Sequence, residues 1–337
     1  MGSVKDLKVL ESPSEDSVGL GVFHFSDRYS VFDWGEMPEK IDRKGMALAL
    51  MGAYTFEMME EEGIDTHYVG LRENGEIKNI DELEDPTDEM VIRLVNVLKP
   101  EFRDGSYDYS VFQNPSVNNY LLPLEVIYRN RVPVGSSIRE RYSPKELGFE
   151  EDDWPEVPVS LDDPIIEAST KLEEQDRYIT DEEAERISGV SLDEIYRKTE
   201  KVNEIITRRS EKTGMNHDDG KLEFLYVEGD TVVGDVAGTF DENRFTFEGL
   251  PVSKEVLRQG YKKRQGDWVE EVKEAKKMAK EKGVKDWKKL VNTSPVSLGF
   301  EELVSELYLS GANKYIGRKF FDVRELDEVV EDLKKFL

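Results

Sequence analysis

The chain has 337 residues and no cysteine, and its 73 acidic side chains outnumber its 46 basic ones, giving a net charge of −27. The lack of cysteine excludes disulfide bonds and thiolate metal sites, and the acidic surface argues against binding to nucleic acid or to an anionic membrane. No apolar run approaches the length of a signal core or a membrane span, so we expect a cytoplasmic protein.

The first hundred residues have the pattern of one lobe of mixed strand and helix. Two strands are predicted over residues 4–11 and 18–25, joined by the polar turn SPSED. The helical pattern MALALMGAYTFEMMEEE follows over residues 46–62 and stops at Gly63. Strand character returns in THYVGL and again in EMVIRLVNVLKP. We therefore assign residues 1–98 to an N-terminal lobe.

A larger lobe, residues 99–252, begins with a strand in PLEVIYRNRVPVG and continues through a proline- and acid-rich segment, residues 143–165, that is typical of a loop. Thr180 has the capping position before the short helix DEEAERIS. A long amphipathic helix covers SLDEIYRKTEKVNEIITRRSEK, a hairpin follows in GKLEFLYVEGDTVVGDV, and residues 253–337 form a helical, highly charged segment. This order predicts an α+β fold of antiparallel sheets and flanking helices, with a cleft between two lobes.

The hairpin carries one acidic residue inside each of its otherwise apolar strands. If its tip EGD forms a three-residue turn, Glu223 lies directly opposite Asp235 on one face. Like charges placed in this way are destabilising, unless one carboxyl is protonated or a divalent cation lies between them. A site with only two carboxylates suits Mg²⁺ that also binds phosphate, and Lys221 points to the same face.

Two alternatives stay open for this hairpin. An exposed hairpin face in a very acidic protein would carry such residues without any function, since short motifs often arise by chance. A two-residue turn would also shift the register by one position and separate the two acids.

Two further segments suit an anionic ligand. RNRVPVGSS begins with Arg129 and ends in a Gly-Ser-Ser turn, which offers backbone N–H groups and the Ser136 hydroxyl to a phosphate. DENRF places Asp241 and Arg244 on a turn just after the hairpin, within reach of the same cleft. A surface turn with salt-bridged arginines is the alternative interpretation, and both fit the sequence.

Together, several segments resemble the SAICAR synthetase family of purine biosynthesis, the phosphoribosylaminoimidazole-succinocarboxamide synthases. They are SDRYSVFD, IDRKGM, EVIYRNRVPVGSS, EASTKLEEQDRYITDEEA, DGKLEFLYVEGDTVVGD, DENRF and GANKYIGRKF, and they occur in the order of the family. The resemblance spans residues 26–320. It implies the two-lobed fold of that family, with an ATP cleft between the lobes.

The resemblance implies an ATP-dependent ligase that joins L-aspartate to the carboxylate of carboxyaminoimidazole ribonucleotide, releasing ADP and phosphate through an acyl phosphate. By similarity, Glu223 and Asp235 hold the Mg²⁺ of ATP and Lys221 contacts the nucleotide phosphates, and these three form the catalytic set. The expected substrate-binding residues are Arg129, Ser136 and Arg244 at the ribotide phosphate, Asp241 at the imidazole or the aspartate, and Lys44, Lys171 and Asp176 along the substrate side. The three small molecules are the expected partners, and homo-oligomerisation is left open.

The cleft departs from the family pattern at its nucleotide loop. The family usually opens with a glycine loop that carries lysines over the ATP phosphates, whereas the stretch VLESPSEDSVGLG is acidic, with no lysine between Lys8 and Lys40. We therefore expect other donors over the phosphates. An ATP-using enzyme acting on another ribotide or amine, a small-molecule kinase and a non-catalytic relative stay as alternative functions.

Overall fold

The structure is a computed structural model that describes residues 4–113, 115–174, 176–284 and 286–337. Within these residues the chain forms two large antiparallel sheets with helices packed against them. The predicted α+β class is therefore confirmed. None of the helices in these ranges is both long and apolar enough to cross a membrane.

The first sheet and one long helix are built by the N-terminal residues. The strands, in the spatial order β1-β2-β5-β3-β4, are β1 (Lys5–Glu11), β2 (Gly19–Phe25), β3 (Tyr68–Glu73), β4 (Glu76–Lys78) and β5 (Glu89–Leu94). Helix α1 (Lys44–Glu61) packs on this sheet, and its small and apolar residues are buried almost throughout. The strands and the helix predicted for this part of the sequence are confirmed. Most end points differ by one or two residues, but β5 ends at Leu94, six residues before the end of the predicted strand segment.

The second sheet follows after a small hairpin, β6 (Glu101–Arg103) and β7 (Ser106–Asp108), and the short helix α2 (Ser110–Gln113). Its strands are β8 (Asn119–Val132), β9 (Val159–Thr170), β10 (Tyr178–Ile179), β11 (Met215–Val227), β12 (Asp230–Gly234), β13 (Asn243–Phe247) and β14 (Leu250–Pro251). The spatial order is β10-β9-β8-β11-β13-β14, and β12 pairs with the remaining length of β11. The strand β11 therefore lies at the centre of the sheet. It pairs with β8 on one side and with β13 and β12 on the other.

The remaining helices pack on the second sheet, on α1 or on one another. They are α3 (Ile138–Arg141), α4 (Asp181–Ser188), α5 (Leu192–Lys212), α6 (Glu255–Arg264), α7 (Gly266–Lys282), α8 (Glu301–Ile316) and α9 (Leu326–Leu333). The Thr180 side chain accepts a hydrogen bond from the backbone N–H of Glu183 and caps α4, as predicted. Helix α5 buries Ile195, Val202 and Ile206 on the face that packs against β11.

The proline-rich segment, residues 143–165, is a loop for only part of its length, because β9 begins at Val159. Its pairing with β8 is interrupted: Arg129 pairs with Ile165, but Arg131 pairs with Ser160. Pro164 lies in the irregular stretch between these pairs, where it removes no hydrogen bond from the ladder. The prediction of a loop throughout was wrong because it rested on the prolines and acidic residues of the segment, which a strand tolerates where its pairing is irregular.

The two sheets meet along the β11–β12 hairpin. The backbone N–H of His67 donates to the carbonyl of Val233 over 2.9 Å, and the N–H of Val233 donates to the carbonyl of Asp65 over 3.0 Å. These bonds fix the first sheet beside β12 and leave a cleft along β11. The division of the chain at residues 98 and 252 stays a prediction.

Candidate active site

The β11–β12 hairpin turns through two residues, not three. Glu228 and Gly229 both have positive φ angles, 52° and 104°, as a type I′ turn requires, and this turn matches the twist of the flanking strands. Glu223 therefore faces Gly234. The predicted register, with Glu223 directly opposite Asp235, is wrong by one residue.

Asp235 nevertheless shares a site with Glu223. It follows the last residue of β12 and has a φ of 55°, a conformation that aspartate tolerates, so the chain leaves the strand direction there. Burial favours its neutral form, but an ion pair with Lys5 on β1 outweighs burial and holds the pKa of Asp235 well below its usual range. Burial and the Asp235 charge together raise the pKa of Glu223. The two acids therefore interact without pairing across the strands.

The residue that faces Glu223 across the sheet is Glu125 on β8. Two ammonium groups compensate these carboxylates. Lys221 Nζ lies 2.7 Å from Glu125 Oε1 and 4.0 Å from Glu223 Oε1, and Lys171 Nζ lies 3.2 Å and 2.5 Å from the same two oxygens. Glu223 does face a like charge across the strands, but that charge belongs to Glu125 and not to Asp235. The two lysines compensate both carboxylates. The sequence signal for Glu125 was an acid inside the apolar strand PLEVIY.

Glu125 and the two lysines keep one another charged. Burial favours the neutral form of Glu125, but Lys221 and Lys171 outweigh it and lower the pKa of this carboxyl. Burial also works against the charge of both lysines, and the carboxylates around them overcome it and raise the pKa of each. Lys221 Nζ has a further partner in Glu242, 3.2 Å away. The two side chains are 27% and 31% exposed, so their ammonium groups reach both the buried acids and the open cleft.

The donor set fits a magnesium ion with few protein ligands. In the ranges that the structure describes, no group of three or more histidine or acidic side chains has the spacing of a metal cage. Glu223 and Asp235 instead offer two carboxylates, each balanced by an ammonium group from Lys171 or Lys5. Oxygen ligands from two carboxylates suit Mg²⁺, which usually keeps waters and takes substrate phosphates as its other ligands.

Beside this cluster is a cavity of about 440 Å³ that contains a guanidinium pair. Asp219 on β11 accepts from Arg129 over 3.3 Å and from Arg244 over 2.8 Å. Arg129 also reaches the Ser136 hydroxyl over 3.5 Å and Glu167 on β9 over 3.4 Å. The structure thus brings the three residues expected at a phosphate to one place, around an aspartate that the sequence analysis did not single out.

Asp241 lines the same cavity and has two lysines and a tyrosine as partners. Lys44 Nζ lies 3.1 Å and Lys254 Nζ 3.5 Å from Asp241 Oδ2, and the Tyr308 hydroxyl donates to Oδ1 over 2.8 Å. Burial favours the neutral form of Asp241, but Lys254 and Lys44 outweigh it and hold its pKa well below the usual range. Burial lowers the pKa of Lys44, whose side chain has no exposed surface. Lys44 and Asp241 lie together, and Lys254 is a partner that the sequence analysis missed.

Helix α6 lines the cavity with cations that the sequence analysis also did not name. Lys254, Arg258 and Lys262 recur every four residues and therefore lie on one face of the helix, which borders the cavity. A Cβ atom on Gly135 would lie 3.9 Å from Lys262 Nζ, so that lysine lies over the Gly-Ser-Ser turn. The spacing within SKEVLRQGYKK was the available signal.

Asp176 lies in the loop between β9 and β10, close enough to Lys171 and Glu125 for their charges to act on it.

Asp176→Asn is expected to raise the melting temperature above about pH 6 and leave it unchanged below about pH 4. Partial desolvation and the Glu125 charge raise the pKa of Asp176 from its ordinary 3.8 to about 6. The folded state therefore binds this proton more tightly than the unfolded chain, and stability falls as pH rises through that window.

Thermal unfolding of both proteins across this pH range checks the expectation. Equal melting temperatures at every pH would contradict a raised pKa for Asp176.

Comparison with known proteins identifies the family. A sequence profile of SAICAR synthetase matches residues 8–275. A protein of Archaeoglobus fulgidus, provisionally designated a phosphoribosylaminoimidazole-succinocarboxamide synthase, is 46% identical over the whole of both chains. A phosphoribosylaminoimidazole-succinocarboxamide synthase of Thermoplasma volcanium is 34% identical over 72% of this chain and 77% of its own. A solved SAICAR synthetase in complex with ADP has the same fold, with a TM-score of 0.54 at 23% identity over 88% of this chain and 99% of that one.

The profile covers most of the chain, and a full-length relative shares almost half of its residues. The motifs that carried the resemblance, RNRVPVGSS, DGKLEF and DENRF, are the segments that converge on this cleft. The chain therefore belongs to the SAICAR synthetase family of ATP-dependent ligases.

Proposed function

We propose that this protein joins the amine of L-aspartate to the carboxylate of carboxyaminoimidazole ribonucleotide, while ATP is converted to ADP and phosphate. The observation that carries the proposal is the charge of the cavity beside Lys221. Although the chain has a net charge of −27, the cavity is lined by more basic residues than acidic ones, six against four. The six basic residues are Arg129, Lys221, Arg244, Lys254, Arg258 and Lys262. Such a pocket favours a ligand with more than one anionic group, as a carboxylated ribotide is.

We expect the ribotide phosphate at Arg129, Ser136 and Arg244. Guanidinium groups bind phosphate through paired hydrogen bonds, and the turn adds a hydroxyl and backbone N–H groups. The carboxylate to be activated would then point towards Asp241 and its partners Lys44 and Lys254. The cavity is lined by Arg129 and Arg244 and also by Lys254, which supports a ligand with more than one anionic group.

We expect the nucleotide phosphates in the cleft beside Lys221 and Lys171. Lys5 supplies a third ammonium group from β1, which compensates for the absence of lysine in the turn that follows. When bound, Mg²⁺ held by Glu223 and Asp235 would neutralise charge on the phosphates. A solved protein of the same fold is a complex with ADP, which supports nucleotide binding by this fold.

The cleft suits carboxylate activation because phosphoryl transfer needs positioning and charge neutralisation more than an acid or a base. A carboxylate oxygen of the ribotide attacks the terminal phosphorus of ATP, and the bond to ADP breaks. The neutral amine of aspartate then attacks the acyl carbon, the bond to the phosphate oxygen breaks, and the amine proton leaves with the phosphate. The ammonium groups of Lys171 and Lys221 face the phosphates in the first step.

Arg129→Ala is expected to raise the KM for the ribotide by roughly 10- to 100-fold, with a smaller effect on the KM for ATP. The fold should tolerate the change because neither acidic partner is orphaned: Asp219 keeps Arg244, and Glu167 keeps Arg141. Steady-state kinetics with each substrate varied in turn measures the effect. An unchanged ribotide KM would contradict the assignment of Arg129 to the phosphate.

The proposed reaction is tested by ADP release in the presence of ATP, Mg²⁺, L-aspartate and the carboxylated ribotide. ADP should appear only with all components present, and the amide product should appear in equal amount. Release without any amine would indicate a small-molecule kinase, and release with an amine other than aspartate would indicate a different ligase. No ADP in any combination of substrates and salt would contradict catalysis altogether.

A further inference from the structure

Glu125 has no part in the ligand assignments above, yet it lies at the centre of the charged cluster. We propose that Glu125 is a positioning residue that holds the ammonium groups of Lys171 and Lys221 in the cleft and so leaves Glu223 free to bind the metal. The inference rests on the proposed nucleotide site. It adds a residue that acts through the two lysines and contacts neither metal nor nucleotide itself.

The distances show that Glu125 is the acid shared most evenly by the lysines. Its Oε1 atom lies 2.7 Å from Lys221 Nζ and 3.2 Å from Lys171 Nζ. Glu223 has one close ammonium group, that of Lys171 at 2.5 Å, because Lys221 Nζ is 4.0 Å away. When Glu223 binds a cation, Lys171 therefore already has a second carboxylate within ion-pair distance, and no large movement is needed to keep it in the cleft.

The charge balance points the same way. Glu125, Glu223 and Glu242 give three carboxylates around the ammonium groups of Lys171 and Lys221. Without the charge of Glu125, the two lysines would have Glu223 and Glu242 as their main ion-pair partners. Lys171 would then keep Glu223 as its nearest carboxylate, and a cation would have to displace that ammonium group from Glu223.

A purely structural role explains less. The pairing of β8 with β11 extends from Asp219 to Val227 and is made by backbone hydrogen bonds, so the strands do not need an ionic cluster to hold them. Apolar neighbours of Glu125, among them Leu124 and Val126, supply the core contacts of that strand. The side chain of Glu125 is only 13% exposed. Burying a charge at such a position lowers the stability of the fold, and a functional role for the carboxylate explains why it is there.

The test is the Mg²⁺ dependence of ADP binding, measured by calorimetry on Glu125→Gln and on the wild type. In the variant, ADP without Mg²⁺ is expected to bind as tightly as in the wild type, or more tightly, because the lysines are less neutralised. The Mg²⁺ concentration that gives half of the Mg²⁺ effect on ADP affinity is expected to rise roughly tenfold, the usual cost of losing a residue that orients a metal site. Glu211→Gln, the same change at an exposed position on α5, is the matched control and should behave as the wild type.

The double variant Glu125→Gln with Lys171→Met separates positioning from structure. In the single variant, Lys171 would pair with Glu223 alone. Removing Lys171 should therefore bring the half-effective Mg²⁺ concentration back towards the wild-type value. Because one acid and one base are removed together, this variant also keeps the charge balance and covers the case in which the single variant does not fold. A half-effective Mg²⁺ concentration that is unchanged in the single variant, or is not restored in the double variant, would overturn the proposal.

Failure of the proposed function would look different. Wild-type protein that binds no ADP with or without Mg²⁺ would overturn the nucleotide site itself, and the role of Glu125 with it. Wild-type protein that binds ADP in a Mg²⁺-dependent manner, with a variant that does the same at the same Mg²⁺ concentration, would overturn only the role of Glu125.

Discussion

Glu223→Gln is expected to lower kcat by about 10³-fold or more while the protein stays folded. Loss of a metal-binding carboxylate removes several kcal/mol of charge stabilisation from phosphoryl transfer, and each 1.4 kcal/mol is a factor of about ten in rate. The fold should survive because the glutamine has the same shape, and because Lys171 and Lys221 keep Glu125 as a partner. Removing one of two facing carboxylates also relieves a repulsion across the strands.

Turnover and thermal unfolding of the same preparation measure this effect. Glu228→Gln, at the exposed tip of the same hairpin, is the matched control and should keep wild-type turnover. A Glu223→Gln protein that unfolds, but whose folded fraction retains full activity, would show that the carboxylate is structural.

Asp241→Asn is expected to cost about 3–5 kcal/mol of folding free energy near pH 7 and to abolish activity. The carboxylate compensates Lys44 and Lys254, and Lys44 has no exposed surface. Asparagine keeps the shape but removes the charge, so the buried ammonium group of Lys44 loses its counter-ion. Such a group is expected to give up its proton, because burial already lowers the pKa of Lys44.

The pH dependence distinguishes this explanation from a simple packing defect. With the pKa of Lys44 depressed in the folded state, folding releases a proton that the unfolded lysine would keep. The cost of the Asp241→Asn change should therefore shrink as pH rises from about 7 towards about 10. Denaturant unfolding at several pH values measures it. A cost that is independent of pH, or no cost at all, would contradict an electrostatic role for Asp241.

In the wild type, the Asp241 carboxyl adds a second pH dependence, in which stability also rises with pH but in the acidic range. Its pKa is held below its ordinary value of 3.8 by the two lysines. The stability that this charge contributes is therefore fully present above about pH 4 and is lost as the solution becomes more acidic.

The sequence predicted local structure well because local patterns decide it. The periodicity of apolar residues located α1 and α5, and the cap at Thr180 located the start of α4. The turn of the β11–β12 hairpin was one local error, beside the start of β9, since the tip EGD is compatible with two or three residues, and only the twist of the strands selects the shorter turn.

Contacts between distant parts of the chain were harder to predict. The pairing of Glu125 with Glu223 depends on β8 lying beside β11, and the contact of Lys5 with Asp235 spans 230 residues. No local pattern records which strands become neighbours, so neither contact follows from the sequence. The family resemblance pointed to Glu223 and Asp235 because both lie in a motif of the family. It did not indicate that Glu125 and Lys5 are the partners of these two acids.

The central step of the proposed reaction is the activation of the ribotide carboxylate by ATP for attack by aspartate. The most direct test is to label that carboxylate with oxygen-18 and to analyse the phosphate released during turnover by mass spectrometry. One labelled oxygen is expected in the phosphate for each amide formed, because the carboxylate oxygen leaves with the phosphoryl group. Amide formation with unlabelled phosphate would contradict it.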